Sequence, residues 1–147
     1  CPFGSAGSSP AEATIIYLLS WFKMFAFTTI GTNNLKKSSQ FYDELLKTLG
    51  IVRVIQDERY VGYSKEDNLE IIEFYIMCPF DKKEATIGNG TMISFDGKTS
   101  EKVNEFHKKA LKIGATNEGF PGPRHGEDYY AYIRDLDGNK ICVFAAT

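Results

Sequence analysis

The sequence predicts an α+β fold in which two units of the order β-α-β-β-β follow one another. Two observations lead to this prediction. Each half of the chain has one amphipathic helical stretch among runs typical of strands, and the two helical stretches match at a constant offset. A third observation is the C-terminal stretch from Asp128 to Phe144, which has the pattern of a strand, a tight turn and a second strand.

The first unit is predicted over residues 24–78. Asn34 is a good N-cap for its helix, and Gly50 is a good residue to end it. The helix is predicted from apolar residues at helical spacing: Leu35, Phe41, Leu45, Leu46 and Leu49. Four strands are predicted around it, at residues 25–31, 51–56, 60–64 and 69–77.

A polar connector at 79–90 leads to the second unit, predicted over residues 91–147. Thr99 and Ser100 can cap its helix, and Gly114 can end it. Strands are predicted at residues 91–95 and 115–118 and in the closing hairpin, with a loop at 120–126. The turn of that hairpin runs from Asp135 to Asn139, where Asp side chains can bond the backbone and Gly138 can take a positive φ.

The repeat can be followed residue by residue. Three matches between the units are predicted: Phe41 and Leu46 with Phe106 and Leu111, Phe27 with Met92, and Ile72-Glu73-Phe74 with Ile141-Cys142-Val143. Two such units each bury a sheet under a helix, and together they are expected to form a curved mixed sheet around a central cleft, with the helices outside. Small molecules bind preferentially in concave surfaces of this kind.

Composition and charge exclude several classes of function. The 147 residues are 43% hydrophobic and 24% charged, as in ordinary globular proteins, and the net charge is −2. Without a basic cluster, nucleic-acid binding is not expected. The three Cys lack metal-type pairing, so we expect no disulfide framework and a reducing, cytoplasmic location. Only two His are present, which argues against a zinc, nickel or iron site.

Residues 1–23 are interpreted as an N-terminal extension, vector-derived or otherwise non-native, and residues 24–147 as one domain. The alternative is that the extension adds a strand or helix to the fold. It contains an apolar run at 13–22 that is too short to span a bilayer as a helix, and no membrane association is expected.

With these motifs in this order, residues 25–146 resemble the glyoxalase/bleomycin resistance/ring-cleaving dioxygenase superfamily, the vicinal oxygen chelate proteins. The matching motifs are Thr29–Leu35 leading into Gln40–Asp43, Thr91–Phe95 followed by Val103, Phe106 and His107, Pro121–Arg124, and Arg134–Ile141. The resemblance implies the fold described above and, as in many relatives, a homodimer. The fold hosts unrelated activities, so the resemblance alone does not give the reaction.

The resemblance also implies where a metal would bind. Members of the superfamily that use a metal place ligands on the first and last strands of each unit, at positions that match Phe27, Glu73, Met92 and Cys142. Only Glu73 suits the metals that these enzymes use, because Phe cannot bind a metal and Met and Cys are soft ligands. We therefore predict no metal site and no cofactor.

The resulting hypothesis is a metal-independent protein that binds a small apolar or aromatic molecule, which could be cationic, in the cleft. The predicted ligand-binding residues are Phe27, Glu73, Met92, Tyr130, Tyr132, Cys142 and Arg124. Glu73 would be the polar anchor and the aromatic residues a deformable wall. No catalytic residue is assigned, and binding without catalysis is the favoured interpretation.

Two alternatives stay open at this point. One is a lyase or isomerase of glyoxalase type, or a dioxygenase-type enzyme, with an altered metal site that would need Glu73 together with His125 or a partner chain. The other is an interaction module with a fully packed core and no pocket. For individual residues, Glu73 could face solvent, Cys142 could be a small buried apolar residue, and Arg124 could lie in a solvated loop.

Overall fold

A computed structural model describes residues 24–146, so the predictions for residues 1–23 lie outside it. The first unit, module one, consists of β1 (Thr28–Gly31), α1 (Leu35–Leu46), β2 (Ile51–Gln56), β3 (Tyr60–Lys65) and β4 (Phe74–Met77). The second, module two, consists of β5 (Ile93–Asp96), α2 (Ser100–Lys112), β6 (Thr116–Pro123), β7 (Tyr129–Arg134) and β8 (Lys140–Ala145).

Each module forms its own four-stranded mixed sheet. The strand order is β1-β4-β3-β2 in the first sheet and β5-β8-β7-β6 in the second. In both sheets the first and last strands of the module pair in parallel, and the remaining neighbours are antiparallel. The predicted α+β fold of two βαβββ modules is confirmed. Among residues 24–146, no helix is long and apolar enough to cross a membrane.

The helix ends follow the predicted capping residues. The side chain of Asn34 accepts a hydrogen bond from the backbone N–H of Lys37 at 3.0 Å, and Thr99 caps α2 in the same way through Lys102. A short 3₁₀ turn continues α1 as far as Gly50, whose φ of 66° only Gly adopts at little cost. The two helices begin at the same point of each repeat because the same kind of cap precedes them.

One core runs through both modules. In each sheet the buried face packs against the helix of its own module, and aromatic side chains link the two packed faces. Tyr42 of α1 contacts Phe74 with ring centroids 5.3 Å apart, Phe74 contacts Phe95 at 5.1 Å, and Phe95 contacts Phe106 of α2 at 6.3 Å. The first two contacts are edge-to-face and the third is tilted, and aromatic pairs of this kind add to the stabilisation from burial alone.

The hairpin turn of module two also joins the modules. Asp135 is almost fully buried and accepts a hydrogen bond from the hydroxyl of Tyr42 at 2.7 Å. The carboxylate of Asp137 accepts hydrogen bonds from the hydroxyls of Thr32 and Ser38 at 2.6 and 2.9 Å. The sequence predicted that these aspartates hold the turn, and Asp135 does so through the backbone N–H of Asn139 at 2.8 Å. Their contacts across the module boundary were not predicted.

Two predicted strand ranges are wrong by five residues at one end, and the strands predicted at 25–31 and 91–95 begin later, at Thr28 and Ile93. The strand expected at 69–77 is confined to Phe74–Met77, because the carbonyls of Asn68 and Ile71 accept hydrogen bonds from the Ser64 hydroxyl and fold the preceding residues into a turn. The strand expected at 115–118 extends instead through Pro123. Register shifts beside Gly119 let β6 follow its neighbour past the point where a loop was predicted.

The predicted match between the last strands of the modules is also wrong, by two residues. Thr28 pairs with Phe74 and Ile93 pairs with Ile141, so the residue that corresponds to Glu73 is Lys140. Cys142 corresponds to Tyr75 by the same register. A shift of two residues keeps every side chain on the same face of the sheet, so strand alternation alone could not reveal it.

Candidate functional site

A groove of about 1380 Å³ opens beside the starts of β1 and β5, where the two modules meet. It brings together three predicted site residues, Phe27, Glu73 and Met92. Phe27 and Met92 are 57% and 43% exposed, so both present apolar surface to a molecule in the groove. The groove is also lined by four lysines and four acidic residues: Lys47, Lys65, Lys98, Lys102, Glu66, Asp67, Glu73 and Asp96.

The other predicted residues lie on the open face of the second sheet, which we call the module-two face. Its centre consists of three aromatic rings, Tyr130, Tyr132 and Phe144. The rings of Tyr130 and Tyr132 are nearly parallel, with an angle of 9° between their planes and centroids 6.2 Å apart. Tyr130 also contacts Phe144, with centroids 4.9 Å apart. These residues form a continuous aromatic surface because alternate residues of a strand share a face.

Two cations flank this aromatic surface. The guanidinium carbon of Arg124 lies 5.5 Å from the centroid of the Tyr132 ring, and the ammonium nitrogen of Lys140 lies 5.3 Å from the same centroid. Both distances are within the range of cation–π attraction. The ring of His125 contacts Tyr130 at 5.9 Å, so the loop that carries Arg124 and His125 borders the face.

Backbone carbonyls hold the Arg124 side chain in place. Its two terminal nitrogens donate hydrogen bonds to the carbonyl oxygens of Gly122 and Phe120, at 3.3 and 3.0 Å. Among the ion pairs of residues 24–146, none involves Arg124. Lys140 lies 3.8 Å from the Glu118 carboxylate, which is closer to Arg134 at 2.8 Å.

Cys142 lies on the same face but is fully buried. Burial raises the pKa of its thiol, and the hydrogen bond with Ser94 and the charges of Lys140 and Arg124 only partly oppose that shift. A thiol with a raised pKa is a weak nucleophile at neutral pH. Burial also raises the pKa of the neighbouring Tyr132 hydroxyl. The position of Cys142 therefore fits a packing residue beneath the exposed rings.

The corresponding face of the first sheet, the module-one face, is aromatic but carries different neighbours. Phe27 contacts Tyr75 edge-on with centroids 5.4 Å apart, and Tyr60 contacts Tyr75 at 6.0 Å. The Tyr75 ring lies against Gly62, where a Cβ atom would also be within 3 Å of the methyl groups of Ile55 and Ile72. This face is therefore closed by apolar side chains.

The groove and the module-two face adjoin along β5. Ser94 and Asp96 line the groove, and in the sheet they pair with Cys142 and Phe144. Cys142 in turn pairs with Tyr132. The seven predicted residues therefore fall into two neighbouring sets rather than one cavity, with Phe27, Glu73 and Met92 at the groove.

Comparison with solved structures identifies the family. Over 85% of this chain, the structure is similar to a glyoxalase/bleomycin resistance protein from Albidiferax ferrireducens T118, with 36% sequence identity, a TM-score of 0.77 and all of that protein covered. The chain belongs to the glyoxalase/bleomycin resistance protein family. The predicted resemblance is confirmed.

More distant family structures share the fold alone. A glyoxalase/bleomycin resistance protein/dioxygenase family enzyme from Burkholderia phytofirmans PsJN is 17% identical, with a TM-score of 0.65 over 83% of this chain and 98% of that protein. A lactoylglutathione lyase from Agrobacterium tumefaciens is 15% identical, with a TM-score of 0.62 over 84% of this chain and 94% of that protein. No family model and no curated protein sequence matches the chain.

The residues present do not fit the divalent metal that many members of this family use. With the register of the sheets corrected, the position in module one that matches Cys142 is Tyr75 rather than Glu73. Within residues 24–146, no three His, Cys, Asp or Glu side chains lie close enough together to hold a metal ion. The four positions that carry metal ligands in other members of the family are thus occupied here by Phe27, Tyr75, Met92 and Cys142. A phenyl ring, a phenol, a thioether and a buried thiol are a poor set of ligands for a hard cation.

Sequence reasoning missed Lys140 of the candidate site, and it also missed Tyr75, the counterpart of Cys142 in module one. Tyr75 lies at the centre of the module-one face, and Lys140 supplies a cation to the module-two face. Both were hidden by the two-residue error in the repeat. The turns at 66–73 and at Asp135–Asn139 each lead directly into the last strand of a module. Aligning the two modules on the starts of these last strands would have found both residues.

Proposed function

We propose that this protein binds a small apolar or aromatic molecule without a metal, in the cleft formed by the groove and the module-two face. The predicted ligand-binding residues Phe27, Met92, Tyr130 and Tyr132 form its walls, and Glu73 and Arg124 provide polar contacts. Cys142 acts from beneath the rings by filling the space under them.

The observation that supports this proposal most strongly is the chemistry of the inward positions. Phe27, Tyr75, Met92 and Cys142 replace the oxygen and nitrogen ligands that a divalent metal requires. The same substitutions make the cleft walls aromatic and polarizable, which is the usual lining of a pocket for a flat organic molecule. The substitutions that remove a metal site therefore also favour binding of an apolar ring.

Equilibrium binding of an uncharged aromatic probe tests the proposal. We expect 2-naphthamide to bind saturably, with the same affinity in the presence of EDTA as in added Ni²⁺, Zn²⁺ or Mn²⁺. Because each ring contributes apolar contact area, Phe27→Ala and Tyr130→Ala should each weaken binding about tenfold. Phe80→Ala, which removes an 85% exposed ring outside the cleft, is the matched control. Absence of saturable binding would refute the proposal.

Glu73 has a separate test. Because its carboxylate lines the groove, we expect Glu73→Gln to weaken binding of the cationic probe 2-naphthylmethylammonium by about 1–3 kcal/mol, the usual value of a lost charge-assisted hydrogen bond. The neutral amide should bind both proteins equally. If the cation also binds both equally, Glu73 is not an anchor of the site.

Metal analysis distinguishes the enzyme alternative. A glyoxalase-type lyase with an altered site would retain stoichiometric Ni, Zn, Mn or Fe through purification, and Glu73→Ala would release it. We expect substoichiometric metal in both proteins. A one-to-one metal content that depends on Glu73 would replace the binding proposal with the lyase.

We further propose that the protein is a homodimer. Large apolar side chains remain exposed around the open sheet faces, with Phe27 57%, Ile55 38% and Phe120 67% exposed. Light scattering after gel filtration tests this proposal, and a monomer at micromolar concentration would contradict it. A cytoplasmic location stays a prediction, to be checked by cell fractionation.

A further inference from the structure

We propose that the module-two face selects a planar aromatic anion, such as an aromatic carboxylate, over neutral or cationic rings of the same size. This inference rests on the proposed function, since it names the ligand class of the same cleft. It follows from the pairing of an aromatic surface with two cations that each lie near the ring of Tyr132.

The aromatic surface favours a flat ligand. Tyr130 and Tyr132 present nearly parallel rings on one strand, and Phe144 continues the surface onto the next strand. Tyr130 and Tyr132 are both partly exposed. A planar ring can lie against this surface with an offset stacking geometry, whereas a bulky saturated group would contact only the edges of the tyrosines.

The two cations, Arg124 and Lys140, favour a negatively charged ligand. Arg124 and Lys140 approach the ring of Tyr132 from different elements, the loop after β6 and the start of β8, and both lie within 5.5 Å of its centroid. The positive charge reaches beneath the ring as well, because both residues act to lower the pKa of the buried Cys142 thiol against the larger effect of burial. A carboxylate beside Tyr132 would therefore be attracted by both positive charges.

Two acidic residues near this face, Glu118 and Asp96, form ion pairs with cations other than Arg124. Glu118 is shared by Arg134 and Lys140, at 2.8 and 3.8 Å, so one carboxylate faces two cations. Asp96, at the other edge of the face, pairs with Lys98 at 2.5 Å. The loop after β6 also carries Glu127 and Asp128, but Arg124 makes no ion pair within residues 24–146, so no carboxylate there neutralises it by direct contact.

Arg124 is also held in a suitable orientation for a carboxylate. Its hydrogen bonds to the carbonyls of Phe120 and Gly122 fix the plane of the guanidinium before any ligand arrives. A guanidinium has more N–H donors than these two bonds use, and its planar fork matches the two oxygens of a carboxylate. Less side-chain entropy is then lost on binding.

Three probes that share the naphthalene ring system and differ in charge test the inference. They are the anion 2-naphthoate, the neutral 2-naphthamide and the cation 2-naphthylmethylammonium. Isothermal titration calorimetry of the full chain at pH 7 gives their affinities. We expect 2-naphthoate to bind about tenfold more tightly than the amide, as is usual for a charge-assisted hydrogen bond, and also more tightly than the cation, which Arg124 and Lys140 repel.

Charge-removing variants locate the preference. Arg124→Gln and Lys140→Gln should each reduce 2-naphthoate affinity about tenfold and change 2-naphthamide affinity by less than about twofold. Arg124→Lys keeps the charge but loses the fork, so its effect should be intermediate. Arg59→Gln is the matched arginine control because Arg59 lies over Phe80 in module one, and Lys108→Gln on α2 is the exposed lysine control. Urea titration checks that each variant folds.

The outcomes separate this inference from the proposed function. Tightest binding of 2-naphthoate, reduced in Arg124→Gln and Lys140→Gln but not in the controls, supports the inference. Equal binding of all three probes, or tightest binding of the cation, overturns it and leaves the binding function standing. Equal losses of 2-naphthoate affinity in the variants and the controls also overturn it, because the preference would then reflect overall charge. If none of the probes binds, both proposals fail.

Discussion

The two modules share a backbone plan but differ in what surrounds their aromatic faces. In module one, Tyr75 lies over Gly62 between the isoleucines Ile55 and Ile72. In module two, Tyr132 lies over Gly119 between two cations, Arg124 and Lys140. The two tyrosines are not equivalent in the repeat, because Tyr75 corresponds to Cys142 and Gly62 corresponds to Tyr132. Packing of a tyrosine on a glycine therefore occurs in both modules but on different strands, with apolar neighbours in module one and charged neighbours in module two.

The turns that precede the last strands differ as well. In module one this turn folds back on its own sheet through the Ser64 hydroxyl, which bonds the carbonyls of Asn68 and Ile71. In module two, Asp137 contacts Thr32, directly after β1, and Asp135 contacts Tyr42 of α1 in the other module. In module two only, this turn therefore makes polar contacts that help to hold the two modules together, in addition to the ion pair of Lys109 with Glu44.

The largest expected effect breaks that contact. Asp135→Ala should lower the free energy of unfolding by about 3 kcal/mol, because it leaves the buried Tyr42 hydroxyl and the donors of Asn139 without their acceptor. Urea denaturation followed by circular dichroism measures the change. The exposed Asp67, in the corresponding turn of module one, provides the control variant Asp67→Ala, which should change stability by less than about 0.5 kcal/mol.

A similar loss in both variants would contradict the asymmetry between the turns. If both losses are small, Asp135 serves only its own hairpin, as the sequence suggested, and its bond to Tyr42 adds little to stability.

Much of the fold could be predicted because local signals and tertiary packing agree. The caps at Asn34 and Thr99, the hydrophobic stripes of the helices and the hairpin around Gly138 all have local causes. The end of β6 could not be predicted, because register shifts at Gly119 depend on the neighbouring strand rather than on composition.

The site was predicted less completely than the fold. Of the residues on the module-two face, Cys142 was predicted from the family resemblance, Tyr130 and Tyr132 as aromatic residues of the closing hairpin, and Arg124 from the loop that precedes it. Lys140 and Tyr75 were missed because their roles depend on pairing register between distant strands, and a register two residues away satisfies the same alternation. The link between Tyr42 and Asp135 joins residues far apart in sequence, and neither residue type signals the other.

The space around Gly62 and Gly119 shows how tightly each face is packed. At Gly62 a Cβ atom would lie 2.6 Å from Ile55 Cγ2, 2.8 Å from Tyr75 Cε1 and 2.9 Å from Ile72 Cγ2. At Gly119 it would meet one close neighbour, Tyr132 Cδ2 at 2.8 Å. Gly62→Ala should therefore cost about 1–3 kcal/mol, as overpacking of a closed site does.

Gly119→Ala should cost clearly less, because Tyr132 is partly exposed and its ring can tilt away. Urea denaturation of both variants measures the difference. Equal costs would mean that the module-two face is as tightly packed as the module-one face, which would leave little room for a ligand ring.

The smallest expected effect is a pH dependence that separates two acids of module two. Burial raises the pKa of Asp135 above the ordinary value for an aspartate by more than its hydrogen bonds from Asn139 and Tyr42 lower it. Its folded state therefore binds the proton more tightly than the unfolded chain, and the stability that it contributes is fully present below the ordinary pKa and is lost as pH rises through the raised pKa. The destabilisation caused by Asp135→Asn should shrink over that range.

Glu118 should behave in the opposite way. The hydrogen bond from Arg134 lowers the pKa of its carboxyl, so its contribution is present above the ordinary pKa of a glutamate and is lost as pH falls through the lowered value. Urea denaturation of wild type, Asp135→Asn and Glu118→Gln measures how the free energy of unfolding of each depends on pH. A range from about pH 3 to about pH 7 covers the ordinary carboxyl pKa values and extends above them. Parallel slopes for the two variants would show that Asp135 is as well solvated as Glu118. The turn of module two would then rest on the surface of module one without being buried against it.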